Sequence, residues 1–228
     1  MFGLRMPPVI KNLIIINILI FLAQYTLGAE WDARLVNLFG LHDVHSVYFR
    51  PHQLITYAFL HGGWQHVLYN MFGLWMFGAM LETHWGAKRF LTFYVVSAIG
   101  AAAVHLAVLY FEMAPVMAEV HSLPADLQQQ YLYSPALPVN IPTVGASGAI
   151  FGCLAAMAWL WPNEYIYLNF IFPIKVKWFA LGYGLLELFY GARASAGDSV
   201  AHWAHLGGGL VGLLLVIYWN KTDRRNFY

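Results

Sequence analysis

Apolar residues are concentrated in six segments of the chain, separated by stretches rich in polar residues, glycine and proline. The segments lie at residues 10–27, 63–81, 90–111, 147–161, 169–191 and 202–219. A helix needs roughly 20 residues to cross about 30 Å of hydrocarbon, and five of the six segments approach or exceed that length. The pattern predicts six membrane-spanning helices, of which the fourth is short.

Two longer connections separate these helices. Residues 28–60 contain apolar pieces, which favours a position partly at the membrane interface. Residues 112–142 are more polar and contain five prolines, which indicates a loop outside the membrane: Pro115, Pro124, Pro135, Pro138 and Pro142. We find no repeat and no linker, so residues 1–228 are predicted to form a single domain.

The composition agrees with a membrane protein. Hydrophobic residues make up 60% of the chain and charged residues only 10%, whereas soluble domains carry about 25% charged residues. A net charge of +1 provides no basic field for nucleic acid, so the expected partner is the lipid bilayer. The single cysteine, Cys153, excludes an intramolecular disulfide. We expect an all-α integral membrane protein.

The distribution of basic residues predicts the orientation. With the N-terminus in the cytoplasm, nine Lys and Arg residues lie on the inner side and three, Arg34, Arg50 and Arg193, on the outer side. This excess follows the positive-inside rule, so both termini are predicted to be cytoplasmic. The first apolar segment has no signal-peptide cleavage site, and we expect it to be a retained helix. The absence of organelle-targeting features favours a prokaryotic plasma (inner) membrane.

Two polar residues are predicted to lie at the same depth on parallel helices. Ser147 precedes Trp161 by 14 residues, and His205 precedes Trp219 by the same number. With both tryptophans in the inner interfacial belt, Ser147 and His205 lie roughly 21 Å above it. Polar side chains at that depth are expected to face the protein interior or water. The spacing therefore predicts a serine nucleophile with a histidine general base.

Further polar residues on the second segment are predicted to reach the same level. His66 and Asn70 are four residues apart and share a helix face. Together with the Ser147 N–H, they are candidate donors for an oxyanion hole. Small residues beside the nucleophile and the base, which allow close helix packing, are predicted to support the site: Gly145, Gly148, Gly152, Gly208 and Gly212. We also expect Phe151 to stack on His205.

These residues also allow other interpretations. Ser147 alone is typical of helix packing, and His66 and Asn70 can also link helices by hydrogen bonds. His202 and His205 resemble half of a metal site, but the chain has no His-Glu-x-x-His motif, so we expect no metal and assign His202 a supporting role. Glu187 is expected to make a structural hydrogen bond. Asp198 is placed outside the membrane, which favours a Ser–His dyad over a triad.

Four motifs resemble the signatures of the rhomboid intramembrane serine proteases. They are Gly-Ala-Ser-Gly at 145–148, His-Gly-Gly-Trp-Gln-His-Val-Leu-Tyr-Asn at 61–70, Gly-Ala-Met-Leu-Glu-Thr-His-Trp-Gly at 78–86, and Ala-His-Leu-Gly-Gly-Gly-Leu-Val-Gly at 204–212. The resemblance implies a six-transmembrane-helix rhomboid bundle with a short central fourth helix. It further implies a Ser147–His205 dyad, an oxyanion hole of His66, Asn70 and the Ser147 N–H, and a fifth helix that gates substrate entry.

The chain departs from the family pattern at three places. Many rhomboids carry Trp-Arg before the second helix, where this chain has Phe-Arg-Pro-His-Gln at 49–53. Some have tyrosine at the position of Phe151. The outer segment 112–142 is longer than in a minimal rhomboid core. None of these differences affects the dyad.

The resemblance implies a serine endopeptidase without a cofactor that cleaves single-span membrane proteins near the outer membrane face. One alternative is a non-catalytic rhomboid-like protein that binds or escorts membrane proteins. Another is a histidine-box metal oxygenase, which is disfavoured because the histidines lie toward the outer side.

Overall fold

Helices dominate the computed structural model, which describes residues 6–168, 172–193 and 201–222. The α-helices are α1 (Pro8–Thr26), α2 (Ala29–Phe39), α3 (Gln53–Thr56), α4 (Trp64–Gly73), α5 (Ala79–Trp85), α6 (Ala87–Ser122), α7 (Ala125–Leu132), α8 (Ser147–Leu160), α9 (Val176–Gly191) and α10 (His202–Thr222). A π-helical segment, Leu74–Gly78, joins α4 to α5, and two 3-10 turns lie at Tyr57–Phe59 and Pro138–Asn140. Two short strands, β1 (Tyr165–Leu168) and β2 (Phe172–Lys175), form an antiparallel hairpin.

Three of the described helices are long and apolar enough to cross a membrane, namely α1, α6 and α10. Helix α8 is apolar but has only 14 residues, as expected for the short fourth helix. The outer surface of the bundle is apolar, with strongly exposed side chains such as Leu19, Leu68 and Phe111. The chain is an integral membrane protein, because such a surface is stable in lipid and costly in water.

Helix α8 lies at the centre of the bundle. Eight of its residues are buried, among them Cys153 and Met157, and it packs against α6 and α10. A helix buried on most sides can be uniformly apolar, which explains the absence of a polar face along α8.

Paired glycines bring α8 and α10 into backbone contact. A Cβ atom on Gly208 would overlap the Gly148 carbonyl, and one on Gly212 would lie 2.6 Å from the Gly152 Cα. Both separations are too short for any side chain. In lipid, such close approach lets dispersion forces hold the helices together, since there is no hydrophobic driving force between them.

The first outer segment fixes the backbone that leads into α8. Leu41 and Thr143 exchange two backbone hydrogen bonds, 2.9 and 2.8 Å long. The Gly145 N–H donates to the Tyr57 carbonyl at 2.9 Å, and the Tyr57 hydroxyl donates to the Ala98 carbonyl at 2.8 Å. The entry to α8 is irregular in structure, but it is tied to the loop on one side and to α6 on the other.

Gln53 organises that outer segment, although the sequence did not single it out. Its side-chain oxygen accepts hydrogen bonds from the backbone N–H groups of His42 and Arg50. Its amide nitrogen donates to the carbonyls of Leu38 and Tyr48. This fully buried side chain therefore satisfies backbone groups of the irregular stretch between α2 and α3.

Glu82 ties the second apolar segment to the first helix. Its two carboxylate oxygens accept hydrogen bonds from the backbone N–H groups of Val9, at 2.9 Å, and Ile10, at 2.8 Å. These N–H groups belong to the first turn of α1 and have no partner within the helix. The negative charge also lies at the positive end of the helix dipole, so the role of Glu82 here is structural.

The prediction of a loop over residues 112–142 is wrong for its first part. Helix α6 continues through Pro115 to Ser122, and α7 follows it. The reason is an apolar stripe at helical spacing, Met113, Met117 and Val120, which packs against Leu137 and Val139. Burial of this stripe offsets the backbone hydrogen bond that Pro115 cannot donate.

The fifth helix begins later than predicted. The apolar segment at 169–191 was expected to be helical throughout, but α9 starts at Val176 and β2 occupies Phe172–Lys175. Pro173 explains the difference, because proline is unfavourable inside a helix and is tolerated in an edge strand. The second segment, predicted to end at residue 81, instead remains helical through the π-helical segment to Trp85.

We expect Gly208→Ala to destabilise the protein because the new methyl group overlaps the Gly148 backbone. The expected cost is at least about 1–3 kcal/mol, which is typical of overpacking. Thermal unfolding in detergent measures it. The matched control is Gly182→Ala on α9, where a Cβ meets nothing within 4 Å and alanine improves helix propensity. Equal melting temperatures for the two variants would contradict the packing argument.

Candidate active site

Ser147 and His205 are in direct contact. Ser147 is the first residue of α8 and His205 lies in the first turn of α10. The Ser147 Oγ lies 2.7 Å from the His205 Nε2, a hydrogen-bond distance at which the hydroxyl donates if Nε2 is unprotonated. The serine is half-buried and the histidine is buried. This arrangement can transfer the serine proton to the imidazole while the oxygen attacks an electrophile.

Aromatic rings fix the plane of the His205 imidazole. The Phe151 ring stacks on it with centroids 4.5 Å apart and an interplanar angle of 5°. Tyr183 of α9 packs on the Phe151 ring at 4.8 Å. Phe151 is one turn after Ser147, so the same helix supplies the hydroxyl and the surface against which the histidine rests.

A carboxylate from α9 contacts two histidines of α10. The Glu187 Oε2 accepts a hydrogen bond from the His202 Nδ1 at 2.6 Å. The same oxygen lies 3.0 Å from the His205 Nδ1, but the N–H direction is too oblique for a well-formed hydrogen bond. All three side chains are at least 89% buried. The His202 ring also stacks on Tyr190 at 5.8 Å.

These three residues are also the best metal-binding set within the described part of the chain. One donor atom each from Glu187, His202 and His205 lies within 4.8 Å of the others. Two histidines and a glutamate are a known zinc donor set. The metal interpretation of the sequence began from His202 and His205, and in the structure Glu187 joins these two histidines.

His66 and Asn70 lie beside the backbone that precedes Ser147. Gly145 has a φ of +128°, and a Cβ there would lie 2.6 Å from the His66 Nε2 and 3.5 Å from the Asn70 Nδ2. Asn70 is buried, and its Nδ2 has no hydrogen-bond partner among the described residues. His66 accepts at its Nδ1 from the Gly62 N–H and packs on His61. Glycine at 145 thus lets the side chains of His66 and Asn70 approach the backbone that precedes Ser147.

A groove of about 380 Å³ runs between α8, α9 and α10. His205 and Phe151 lie at one end, and Lys177 lies at the other. Small and apolar side chains line the rest: Leu154, Ala155, Ala180, Leu181, Gly209 and Leu213. His205 therefore lines the groove that separates α9 from α10.

The structure brings most of the sequence-predicted site residues together. Ser147, His205 and Phe151 form one contact group, and His66 and Asn70 lie beside Gly145. His202 reaches the group through Glu187, whose contact with His205 the sequence analysis missed. The sequence signal that could have indicated this contact was the depth of Glu187 in the membrane. Glu187 lies ten residues after Lys177, which is predicted to be on the inner side, and hence about 15 Å above it. Asp198 lies outside the described residues.

The comparison with known families agrees with this geometry. A family model for the Rhomboid domain matches residues 48–221, about three quarters of the chain. The chain belongs to the rhomboid family. The match includes all four motifs and both helices of the Ser147–His205 pair.

Curated rhomboid relatives come from several compartments. The chain is 32% identical over 172 residues to Rhomboid protein 1, mitochondrial, of Saccharomyces cerevisiae, and 28% identical over 212 residues to Rhomboid-like protein 11, chloroplastic, of Arabidopsis thaliana. It is 29% identical over 108 residues, or 47% of this chain, to Rhomboid protease GluP of Bacillus subtilis. The first two matches cover 74% and 90% of this chain.

The chain spans only part of each of these relatives: 42% of the yeast protein, 62% of the Arabidopsis protein and 15% of the Bacillus protein. Mitochondrial and chloroplastic names among the relatives do not support the prediction of a prokaryotic plasma membrane. A multi-pass integral membrane location is common to the sequence pattern and the helices described.

Proposed function

We propose that this rhomboid is an intramembrane serine endopeptidase that hydrolyses a peptide bond of single-span membrane proteins near the outer membrane face. The observation that carries the proposal is the 2.7 Å contact between the Ser147 Oγ and the His205 Nε2. The family match and the relative named as a protease support it. The residues involved require no cofactor.

The reaction begins with attack of the Ser147 oxygen on the scissile carbonyl carbon. His205 accepts the serine proton at Nε2 and then donates it to the leaving amine, which produces an acyl-enzyme. Water, activated by His205, hydrolyses the ester and releases the second product. The stacked Phe151 ring keeps the imidazole in place during both proton transfers.

The negative charge on the tetrahedral intermediate requires preorganised donors. The Ser147 N–H is at the start of α8, where backbone N–H groups have no partner within the helix. The unpartnered Asn70 Nδ2 and the His66 ring lie on the same side of Gly145. We assign these three groups to the oxyanion hole, in which each donor contributes to transition-state stabilisation.

The substrate must expose its backbone to react. A fully hydrogen-bonded helix hides the scissile carbonyl, so the substrate segment at Ser147 is expected to be extended or broken by small or helix-disrupting residues. Access from the outer side also brings the water needed for hydrolysis. Because both termini are predicted to lie on the inner side, the catalytic pair opens toward the opposite face.

Purified protein is expected to cleave a model transmembrane substrate and to be labelled at Ser147 by a fluorophosphonate. Both activities should disappear in Ser147→Ala and His205→Ala, because each variant lacks one partner of the proton transfer. A chelator should leave cleavage unchanged. Folded wild-type protein that neither cleaves nor labels would instead support a non-catalytic protein that binds or escorts membrane proteins.

Asn70→Ala should lower kcat by about 10²–10³-fold, the usual cost of removing one oxyanion donor. Its effect on thermal stability should be small, because the Asn70 Nδ2 makes no described hydrogen bond. The matched control is Asn17→Ala in α1, where the buried amide donates to the Leu13 carbonyl at 2.8 Å. That change should reduce stability and leave kcat largely intact. The reverse pattern would remove Asn70 from the oxyanion hole.

A further inference from the structure

The buried carboxylate of Glu187 lies beside the imidazole of His205. It projects from α9, whereas the serine and the histidine belong to α8 and α10. Its Oε2 lies 3.0 Å from the His205 Nδ1, the ring nitrogen opposite the one that contacts Ser147. The side chain of Glu187 is only 6% exposed, so water screens this contact weakly.

A carboxylate at this place has two effects on a general base. An acceptor at Nδ1 favours the tautomer that carries its proton there, which leaves Nε2 free to accept the serine proton. When the imidazole becomes positively charged, the nearby negative charge stabilises it. The carboxylate stays ionised throughout, just as the aspartate of the Ser-His-Asp triad does.

We propose that Glu187 is a positioning residue that holds the His205 tautomer and stabilises its protonated form during catalysis. This inference rests on the proposed protease function. The Ser147 proton moves to the His205 Nε2. The Nδ1 proton remains on the ring, and the Nδ1–H group donates a hydrogen bond to the Glu187 carboxylate. The functional unit thereby includes α9 in addition to α8 and α10.

His202 shares the same carboxylate oxygen, and this sharing explains the oblique contact with His205. In the described state the shorter bond, 2.6 Å, goes to His202. Catalytic hydrogen bonds are often poorly aligned in a free enzyme and tighten in the transition-state complex. A growing positive charge on His205 attracts the carboxylate, so the balance between the two histidines shifts toward His205 as the reaction proceeds.

A purely structural role of Glu187 predicts different effects of its removal. If Glu187 only links α9 to α10 through His202, then its removal lowers stability, and folded molecules keep their turnover rate. A positioning residue instead changes kcat with little change in KM, because substrate binding does not involve the Nδ1 side of the ring. The charge, and not only the shape, of the side chain is then required.

The first test compares the cleavage kinetics of Glu187→Gln and Glu187→Asp with those of the wild type. We expect Glu187→Gln to lower kcat by about 10- to 100-fold with KM within about twofold, less than the ~10⁴-fold loss seen for a fully aligned triad. Glu187→Asp keeps the charge and should recover part of the loss. The control is Glu82→Gln, a buried glutamate that bonds the start of α1, which should reduce stability without lowering kcat.

A second readout does not depend on activity. In the Ser147→Ala/His202→Gln double variant, where the Glu187 carboxylate is released from its shorter bond, proton NMR of histidine-labelled protein should show a low-field Nδ1 proton from His205. That signal should be lost when Glu187→Gln is added to the two changes. Unchanged kcat in folded Glu187→Gln, or no low-field signal in the double variant, would overturn the proposal. Failure of wild-type protein to cleave any substrate would instead refute the protease function, while the NMR result still decides the Glu187 contact.

Discussion

The backbone contact between α8 and α10 is the constraint on which the site depends. Gly148 and Gly208 allow the two helices to touch, and they lie one and three residues after Ser147 and His205, respectively. Any side chain at this contact would separate the helices near Ser147 and His205. A 2.7 Å hydrogen bond does not tolerate such a displacement. Packing of glycine residues therefore sets the distance between the Ser147 Oγ and the His205 Nε2.

Much of this arrangement could be predicted from the sequence because the rise per residue of an α-helix is constant. Counting residues from Trp161 and Trp219 placed Ser147 and His205 at one level, and the glycine spacing indicated a close approach. The contact of Glu187 with His205 was not predicted for a different reason. Most residues of α9 are apolar and exposed, so its sequence does not show which side of the helix faces α10. The orientation of a helix about its axis is predicted from an amphipathic pattern, and α9 has little of one.

Two prolines account for errors in the predicted helix boundaries. Pro115 suggested a loop, yet the apolar stripe of Met113, Met117 and Val120 was a stronger determinant of structure. Pro173 was placed inside the predicted fifth helix, but in the structure it lies in β2. The two cases differ in compensation, because the first proline is stabilised by tertiary packing, while the residues around the second can pair as a hairpin instead.

The length of α6 has a mechanical consequence. Its 36 residues extend about 54 Å, well beyond the ~30 Å hydrocarbon core, and its outer part grips Leu137 and Val139. Only seven residues separate Val139 from Ser147, and they are fastened on the way at Thr143 and Gly145. The outer end of α6 is therefore joined to Ser147 by a short segment that is anchored to Leu41 and Tyr57 and has little slack.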